Sequence, residues 1–291
     1  MKRTLAFILT LALASCATPP PPRPAQPVAD SEPGVSVPGT EEAAPAQPAP
    51  PPSKAAEWTA ISHFNGQPLF GNASLIEYKI GHKGHTYQIR LVVFDSRQFE
   101  LKVIDQPDDW AGGSRIKDSL QAAAAIAGVN GGFFTRDFKP MGLMIADGRK
   151  TGAWQKDSLL TGAVVVSTHP QILWNTEVNP GEASQLLQAG PRLVDDGQAV
   201  PGLDHRKQSA RTFIANNGGT QWLIGTAEEI TLSDLAELLS TPGLMPAFTV
   251  HRALNLDGGH SSAIYYRTVD GHERAYPGWS TVRNYVGIVP R

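Results

Sequence analysis

Two short segments of the chain join polar side chains to paired glycines, and the first of them carries the richer chemistry. Residues 255–262 read Asn-Leu-Asp-Gly-Gly-His-Ser-Ser, so an apolar strand runs into a carboxylate (Asp257), an imidazole (His260) and two hydroxyls. Such groups can transfer protons, and consecutive backbone N–H groups around Gly258 and Gly259 could surround an anion. The same residues would also suit a simple Asp-Gly turn with a solvated histidine, so both interpretations remain open.

The second segment has the same form and lies earlier in the chain. Residues 127–134 read Ala-Gly-Val-Asn-Gly-Gly-Phe-Phe, which predicts a buried strand ending at an amide side chain, Asn130. Gly131 and Gly132 lack a Cβ and would let the backbone approach a ligand closely. A β-bulge or a tight turn explains the glycines equally well.

Two arginines complete the set of candidates. Arg192 follows Gly-Pro and Arg211 follows Ser-Ala, so each stands beside small residues at the start of a predicted strand. A guanidinium group matches phosphate or carboxylate geometry and can bind either in a bidentate manner. Taken alone, each arginine could equally form a surface ion pair.

These segments need a framework, and strand-like patterns dominate the chain around them. Alternating or continuous apolar runs adjoin turn sequences such as Gly-His-Lys-Gly at 81–84 and Asn-Asn-Gly-Gly at 216–219. The predicted strands cover residues 75–80, 87–94, 99–104, 163–166, 171–174, 212–215, 221–224, 253–256, 263–267 and 285–289.

Two helices are predicted among the strands. One runs from a capping Ser114 to residue 125, and the other covers residues 231–239, where Thr231 and Asp234 have the spacing of a capping box. Strands that mostly adjoin other strands favour an α+β fold with a mixed, mainly antiparallel sheet core and a few helices.

The first residues indicate export. Two basic residues and a ten-residue apolar stretch, too short to span a bilayer, precede Leu-Ala-Ser-Cys at 13–16. This predicts a lipoprotein signal peptide at 1–15 and lipidation of Cys16. Ala17 follows the cysteine, which by Gram-negative sorting rules suggests attachment to the outer membrane, facing the periplasm. Because Cys16 is the only cysteine, the fold must stand without a disulfide.

Composition divides the rest of the chain into a linker and one domain. Residues 17–55 hold 13 of the 24 prolines and no Leu, Ile, Met or aromatic residue, so they cannot bury enough apolar area to fold. We expect a disordered linker at 16–55 and a single globular domain at 56–291.

Charge and motifs exclude several classes of function. A net charge of −2 argues against nucleic-acid binding. Motifs for nucleotide binding, helical zinc sites and serine hydrolases are absent from the sequence.

The order of the motifs resembles one family, the phosphodiester glycosidases. The resemblance covers roughly residues 85–291 and is carried by Asn-Gly-Gly-Phe-Phe at 130–134, Gly-x-x-x-x-Asp-Gly at 142–148, Ala-Arg-Thr at 210–212 and Asn-Leu-Asp-Gly-Gly-x-Ser at 255–261. His260 departs from it, because the family's animal member has glycine there. A bulkier, titratable residue therefore lines the site in this chain.

The resemblance implies cleavage of a glycosyl phosphodiester in envelope or exopolysaccharide glycans. Asp257 would activate water or act as nucleophile, Arg211 and Arg192 would hold the phosphate, Asn130 would orient sugar or water, and His260 would contact phosphate or donate a proton. The implied catalytic residues are Asp257, Asn130, Arg211 and His260, and the implied substrate-binding residues are Arg192, Gly131, Gly132, Gly258, Gly259 and Ser261.

Several alternatives stay open. A second carboxylate has three candidates: Glu177, Asp147 and Asp196. A glycan-binding lipoprotein without catalysis could use Trp110, Trp154, Trp174 and Trp279 as stacking platforms. A metal-dependent hydrolase could use Asp257 with His251 or His260. No cofactor is predicted, although a divalent metal is possible, and the expected partners are a glycan substrate and the membrane that holds the lipid anchor.

Overall fold

Antiparallel strand pairing organises the part of the chain that the structure describes, residues 58–108 and 115–291. In this computed structural model the described residues form eighteen strands in three sheets, and every strand pair is antiparallel. The mainly antiparallel core is confirmed, but the expected mixture of strand directions does not occur among these pairs. The predicted signal peptide, Cys16, the linker, Trp110 and Ser114 lie outside the described residues.

The largest sheet has eight strands and carries both arginine candidates. In spatial order its strands are β1 (Trp58–Pro68), β2 (Ser74–His82), β3 (His85–Asp95), β14 (Gln221–Ile230), β13 (Ser209–Asn216), β15 (Arg252–Asn255), β11 (Arg192–Asp195) and β12 (Gln198–Ala199). The predicted turn at 81–84 joins β2 to β3 through Lys83 and Gly84, both with positive φ, as two-residue hairpin turns require.

The other two sheets have five strands each. One contains β7 (Arg149–Thr151), β6 (Met144–Ala146), β10 (Gln185–Ala189), β8 (Gly162–Val166) and β9 (Pro170–Trp174) in that order. The last contains β17 (Glu273–Tyr276), β16 (Ile264–Arg267), β5 (Ala127–Asn130), β18 (Asn284–Pro290) and β4 (Phe99–Asp105). Asn130 therefore stands at the end of a strand that is paired on both sides.

The main core lies where the three sheets face one another. It includes Ile214 of β13, Val164 of β8 and Val129 of β5, all of them fully buried. Side chains alternate across a strand, so Phe213 faces the other way and joins a second cluster. This alternation decides which side chains of β13 can reach the neighbouring sheets.

Two α-helices cover outer faces of the sheets in the described region. α1 (Ile116–Ala122) packs Leu120 into a cluster with the third sheet, and α2 (Leu232–Ser240) packs four apolar residues onto the eight-stranded sheet. The predicted cap of α2 is confirmed, since Thr231 Oγ1 accepts the N–H of Asp234 at 3.0 Å. Neither helix is long and apolar enough to cross a bilayer.

The helix prediction at 114–125 is wrong at both ends. The residue that precedes α1 is Arg115, which makes no side-chain capping bond, and Ala124 has a positive φ that ends the helical path. The alanine-rich stretch has helical propensity, but chain reversal into β5 overrides it. All ten predicted strands are found, some of them longer than predicted.

Candidate functional site

The two glycine-rich segments meet at the ends of β5 and β15. The backbone N–H of Asp257 donates to the carbonyl of Gly131 at 2.9 Å, and the Asn130 side-chain amide donates to the carbonyl of Asp257 at 2.7 Å. These bonds join segments that lie 127 residues apart in the chain. The structure thus brings together Asn130 and Asp257, two residues implied as catalytic.

Asn130 is the centre of this arrangement. Its side chain is fully buried, and its Oδ1 accepts from the Thr212 hydroxyl at 2.7 Å and from the backbone N–H of Ala263 at 3.0 Å. Together with the bond to Asp257, the amide links the ends of β5, β13 and β16 to the loop after β15. A buried amide with these bonds satisfied is rigid. The structure therefore gives Asn130 a positioning role.

The Asp257 carboxyl group is held within its own loop. Its Oδ1 accepts the backbone N–H of Gly258 at 2.9 Å, and the Ser261 hydroxyl also hydrogen-bonds to it. Burial raises the pKa of Asp257 above its ordinary value, and the bonds from Ser261 and Gly258 oppose that rise because they stabilise the ionised form. A half-buried carboxylate with a raised pKa is a stronger base than an exposed one.

The glycines serve internal packing in this structure. A Cβ on Gly131 would lie 1.9 Å from Oδ1 of Asn284, which accepts the N–H of Gly132. A Cβ on Gly258 would lie 2.8 Å from the carbonyl of Ala210. Gly259 has φ of 61°, a conformation that disfavours a side chain. Neighbouring protein atoms therefore account for these glycines at the site.

Arg211 lies beside the loop but points across β13 from Thr212. Its Nε donates to the carbonyl of Ile230 at 3.0 Å and its Nη2 to that of Lys207 at 2.7 Å. Burial lowers the pKa of Arg211, and the charge of Asp204 opposes this. A Cβ on Gly258 would be 3.8 Å from Cδ of Arg211, so the stem of the side chain contacts the loop. The Arg211 guanidinium group therefore hydrogen-bonds to backbone carbonyls.

Arg192 lies in a different group of charges. Its guanidinium carbon is 5.1 Å from the ring centre of Trp174, and Nη1 is 4.0 Å from the Asp195 carboxylate. Its backbone N–H donates to the Thr161 hydroxyl at 2.8 Å. The structure shows none of these contacts reaching Asp257.

His260 and Trp279 form an aromatic pair at the surface of the loop. Their ring centres are 5.8 Å apart, and the backbone N–H of Trp279 donates to the backbone carbonyl of His260 at 2.8 Å. Trp279 is 90% exposed, which makes it the open platform among the described tryptophan candidates. Trp174 is buried, and Trp154 packs partly buried on the outer face of the second sheet.

The three carboxylates considered as a second catalytic acid are engaged elsewhere. Glu177 accepts from Arg252 at 2.7 and 3.0 Å, and Asp147 accepts from Gln185 at 2.7 Å. Asp196 is exposed and lies 3.5 Å from Nδ1 of His251. The structure does not bring them to Asp257.

The geometry also bears on the metal alternative. His251 precedes Asp257 by six residues along a mostly extended path, which spans roughly 15–20 Å and is too far for a shared ion. Within residues 58–108 and 115–291, the grouping of three or more metal-type donors contains neither Asp257 nor His260. Asp257 therefore belongs to no group of three histidine, cysteine or acidic side chains within the described residues.

One cavity adjoins the Asp257 loop and another lies beside Arg192, and each has an arginine in its wall. Ser261 lines one of about 100 Å³ together with Arg115 and Trp279. The other, of about 290 Å³, is lined by Arg192 and by Pro191, whose carbonyl accepts the N–H of Asn255. Both cavities have a cation and hydroxyl groups in their walls, and the larger one also has the Asp204 carboxylate, so the smaller one suits an anionic ligand better.

Four residues that shape the site were not among the predicted site residues, although two of them lie in motifs that the sequence analysis identified. Thr212 belongs to the Ala-Arg-Thr motif, where strand alternation turns it away from Arg211. Ser262 ends the segment at 255–262, whereas Asn284 and Arg115 lie outside the motifs described above. The missed residues are Thr212, Ser262, Asn284 and Arg115.

Comparisons with known proteins bear on the family and on the fold. The family model for phosphodiester glycosidases matches residues 123–289. The catalytic domain of zebrafish N-acetylglucosamine-1-phosphodiester alpha-N-acetylglucosaminidase, auto-inhibited by pro-peptide, superposes with a TM-score of 0.56 at 16% identity, over 81% of this chain and 88% of that one. A hypothetical protein from Synechocystis gives a TM-score of 0.51 at 14% identity, over 75% and 62% of the two chains. Among curated protein sequences, none matches. At these identities the structures show a shared fold.

Proposed function

This chain belongs to the phosphodiester glycosidase family, and from that enzyme class and the position of Asp257 we propose that it hydrolyses a glycosyl phosphodiester at the site formed by residues 255–262 and Asn130. The observation that carries the proposal is a half-buried carboxyl group with a raised pKa, held by Ser261 and by its own loop. Water is added across the bond between the anomeric carbon and the phosphate oxygen. The products are a free sugar and a phosphomonoester.

Asp257 acts on the attacking water. Its carboxylate takes a proton from water as the oxygen approaches the anomeric carbon, and the C–O bond to phosphate breaks in an oxocarbenium-like transition state. Phosphate is a good leaving group, so little acid assistance is needed. If Asp257 instead attacks the carbon itself, the glycosyl-enzyme ester is hydrolysed in a second step, and the overall reaction is the same.

The surroundings of the loop supply binding. Arg115 and the hydroxyls of Ser261 and Thr281 line the smaller cavity, where they would hold the departing phosphate. Trp279 gives a sugar ring a surface for stacking beside His260.

The proposed substrate and location rest on the predicted export signal of the chain. A lipid anchor on Cys16 and a proline-rich linker would place the enzyme on a bacterial envelope, at the outer membrane facing the periplasm. Substrates there would be sugar-1-phosphodiesters of envelope or exopolysaccharide glycans. This part of the proposal rests on the N-terminal sequence alone.

The test is a hydrolysis assay with a matched control variant. The purified protein is incubated with UDP-N-acetylglucosamine and other sugar-1-phosphodiesters, with and without chelator, and free sugar is detected by NMR. Asp257→Asn removes the carboxylate, whereas Asp196→Asn makes the same chemical change at an exposed position. We expect sugar release that survives chelation, falls at least about a thousandfold in Asp257→Asn and is unchanged in Asp196→Asn.

Other results would point elsewhere. Normal turnover in folded Asp257→Asn would refute the assignment of this residue. Release that stops with chelator would require a metal-dependent mechanism. Saturable glycan shifts without product would indicate a binding protein, and the Trp279→Ala variant would then lose those shifts.

A further inference from the structure

A second group of chemically active side chains lies on the outer face of the eight-stranded sheet. His82 ends β2, and Asp234 and Glu237 stand three residues apart on α2, so both carboxylates project from the same side of the helix. One donor atom from each residue lies within 4.8 Å of the other two. The catalytic proposal uses none of these residues.

The imidazole of this group is buried and held in one orientation. His82 is 3% exposed, and its ring stacks on Trp58 with centres 3.8 Å apart and an angle of 2° between the planes. One ring nitrogen of His82 lies within 4.8 Å of a carboxylate oxygen of Asp234 and of Glu237. A fixed ring orientation favours metal binding, because histidine ligands in metal sites are oriented by their surroundings.

The first carboxylate is also oriented by a neighbour. The Thr231 hydroxyl donates to Oδ2 of Asp234 at 2.8 Å, and Thr231 itself is fixed as the cap of α2. Oδ1 of Asp234 can then face His82. Burial raises the pKa of Tyr87 on β3, and the nearby charge of Asp234 adds to that rise, so this carboxylate lies close to the hairpin formed by β2 and β3.

The second carboxylate has the freedom that ion binding needs. Glu237 is half-buried and borders an open surface groove with Ser233 and Ser240, so an ion can enter from solvent. Donors at about 2.0–2.2 Å from one ion lie no more than roughly 4.4 Å apart. Because the three donor atoms lie within 4.8 Å of one another, at most a small side-chain rotation brings them to one ion.

We propose that His82, Asp234 and Glu237 bind a divalent transition-metal ion that ties the β2–β3 hairpin to α2. One imidazole nitrogen and two carboxylate oxygens suit zinc and neighbouring first-row ions, whereas calcium and magnesium prefer oxygen donors throughout. The ion would neutralise two carboxylates that otherwise face each other in a partly buried position. Its role is structural, because the ligands come from two elements that pack together.

The test measures zinc binding directly in the full chain without a histidine tag. Metal-free protein is titrated with Zn²⁺ by calorimetry, and Co²⁺ is added separately to record the visible bands of a coordinated ion. We compare wild type with Glu237→Gln and His82→Gln. His85→Gln is the matched control, because this exposed histidine lies across the same turn.

We expect one zinc ion per chain and a higher melting temperature with zinc present. Both ligand variants should bind at least about a hundredfold more weakly, since they lose a direct ligand and not merely an orienting partner. His85→Gln should bind as the wild type does. Glu237→Gln keeps the test valid if His82→Gln fails to fold, because position 237 is half-buried on a helix surface.

Two outcomes would overturn the proposal. The first is the absence of saturable binding by folded wild-type protein at millimolar zinc, which would mean that the three side chains form a group without an ion. Binding that persists in both ligand variants would place zinc at other histidines.

Discussion

Replacing Asn130 with alanine should destabilise the protein far more than an ordinary polar substitution does. The Asn130 side chain is fully buried and makes three hydrogen bonds, to the Asp257 carbonyl, the Thr212 hydroxyl and the Ala263 N–H. Thr212 lies 3.2 Å from Ser262 Oγ and can satisfy its hydroxyl there. The other two groups are left buried without a partner.

The magnitude follows from those two groups. A buried donor or acceptor left unsatisfied costs about 1–3 kcal/mol, so the variant should lose roughly 4 kcal/mol of unfolding free energy. For a domain of this size, 1 kcal/mol shifts the melting temperature by about 2–4 °C. We therefore expect a fall of roughly 8–16 °C. Thr212→Val removes one bond of the same group and should cost about 1 kcal/mol.

Thermal unfolding followed by circular dichroism and calorimetry tests this directly. Asn217→Ala is the control, because Asn217 accepts two backbone N–H bonds in a turn but is exposed, and its loss should cost much less. If Asn130→Ala melts within 2–3 °C of wild type, or no lower than Thr212→Val, Asn130 does not hold the site together. Activity measured well below the transition should also fall, because the Asp257 loop loses its anchor.

The remaining predictions concern the carboxylate and the glycine beside it. The acidic limb of kcat/KM against pH should lie above the range of an ordinary aspartate, and Ser261→Ala should move it higher, because a bond to the ionised form of Asp257 is lost. Asp257→Asn should melt at or above wild-type temperature at neutral pH. The raised pKa means that wild-type stability falls as pH rises from the unfolded to the folded pKa, so the difference should shrink toward pH 4. Gly131→Ala should cost about 1–3 kcal/mol or more, because its Cβ would meet Asn284 Oδ1, and Gly181→Ala, with its nearest contact at 3.4 Å, should change little in urea unfolding.

Local signals were enough to predict many of the elements. The turn through Lys83 and Gly84 needs two residues of positive φ, and the cap of α2 needs a hydroxyl three residues before an acidic residue. Each of these features depends on only a few adjacent residues, so it can be predicted from the local sequence. Short strands such as β12 (Gln198–Ala199) carry too few residues to show alternation, and they exist because a longer partner strand is available.

The meeting of the two glycine-rich segments could not be predicted from either segment. Each was recognised as a strand running into polar residues, but their contact depends on β5 lying between β16 and β18, which come from the other end of the chain. Only sheet order brings Gly131 within 2.9 Å of the Asp257 N–H. The spacing of residues in the sequence does not predict this contact. Only the family resemblance, which assigns both segments to one site, indicated that they lie together.

Arg211 and its neighbour Thr212 have different roles because they lie on opposite faces of β13. Arg211 and Thr212 are adjacent, so β13 sends them to opposite faces, and only Thr212 reaches Asn130. On the partner strand β14 an extra residue is inserted, since Ser209 pairs with Ile230 while Arg211 pairs with Ala227, and Glu229 takes a positive φ. This bulge leaves the Ile230 carbonyl to accept from Arg211. Arg211 therefore stabilises β13 on one face, while the Thr212 hydroxyl on the opposite face contacts the site. An argument from the charge of the arginine alone would miss this geometry.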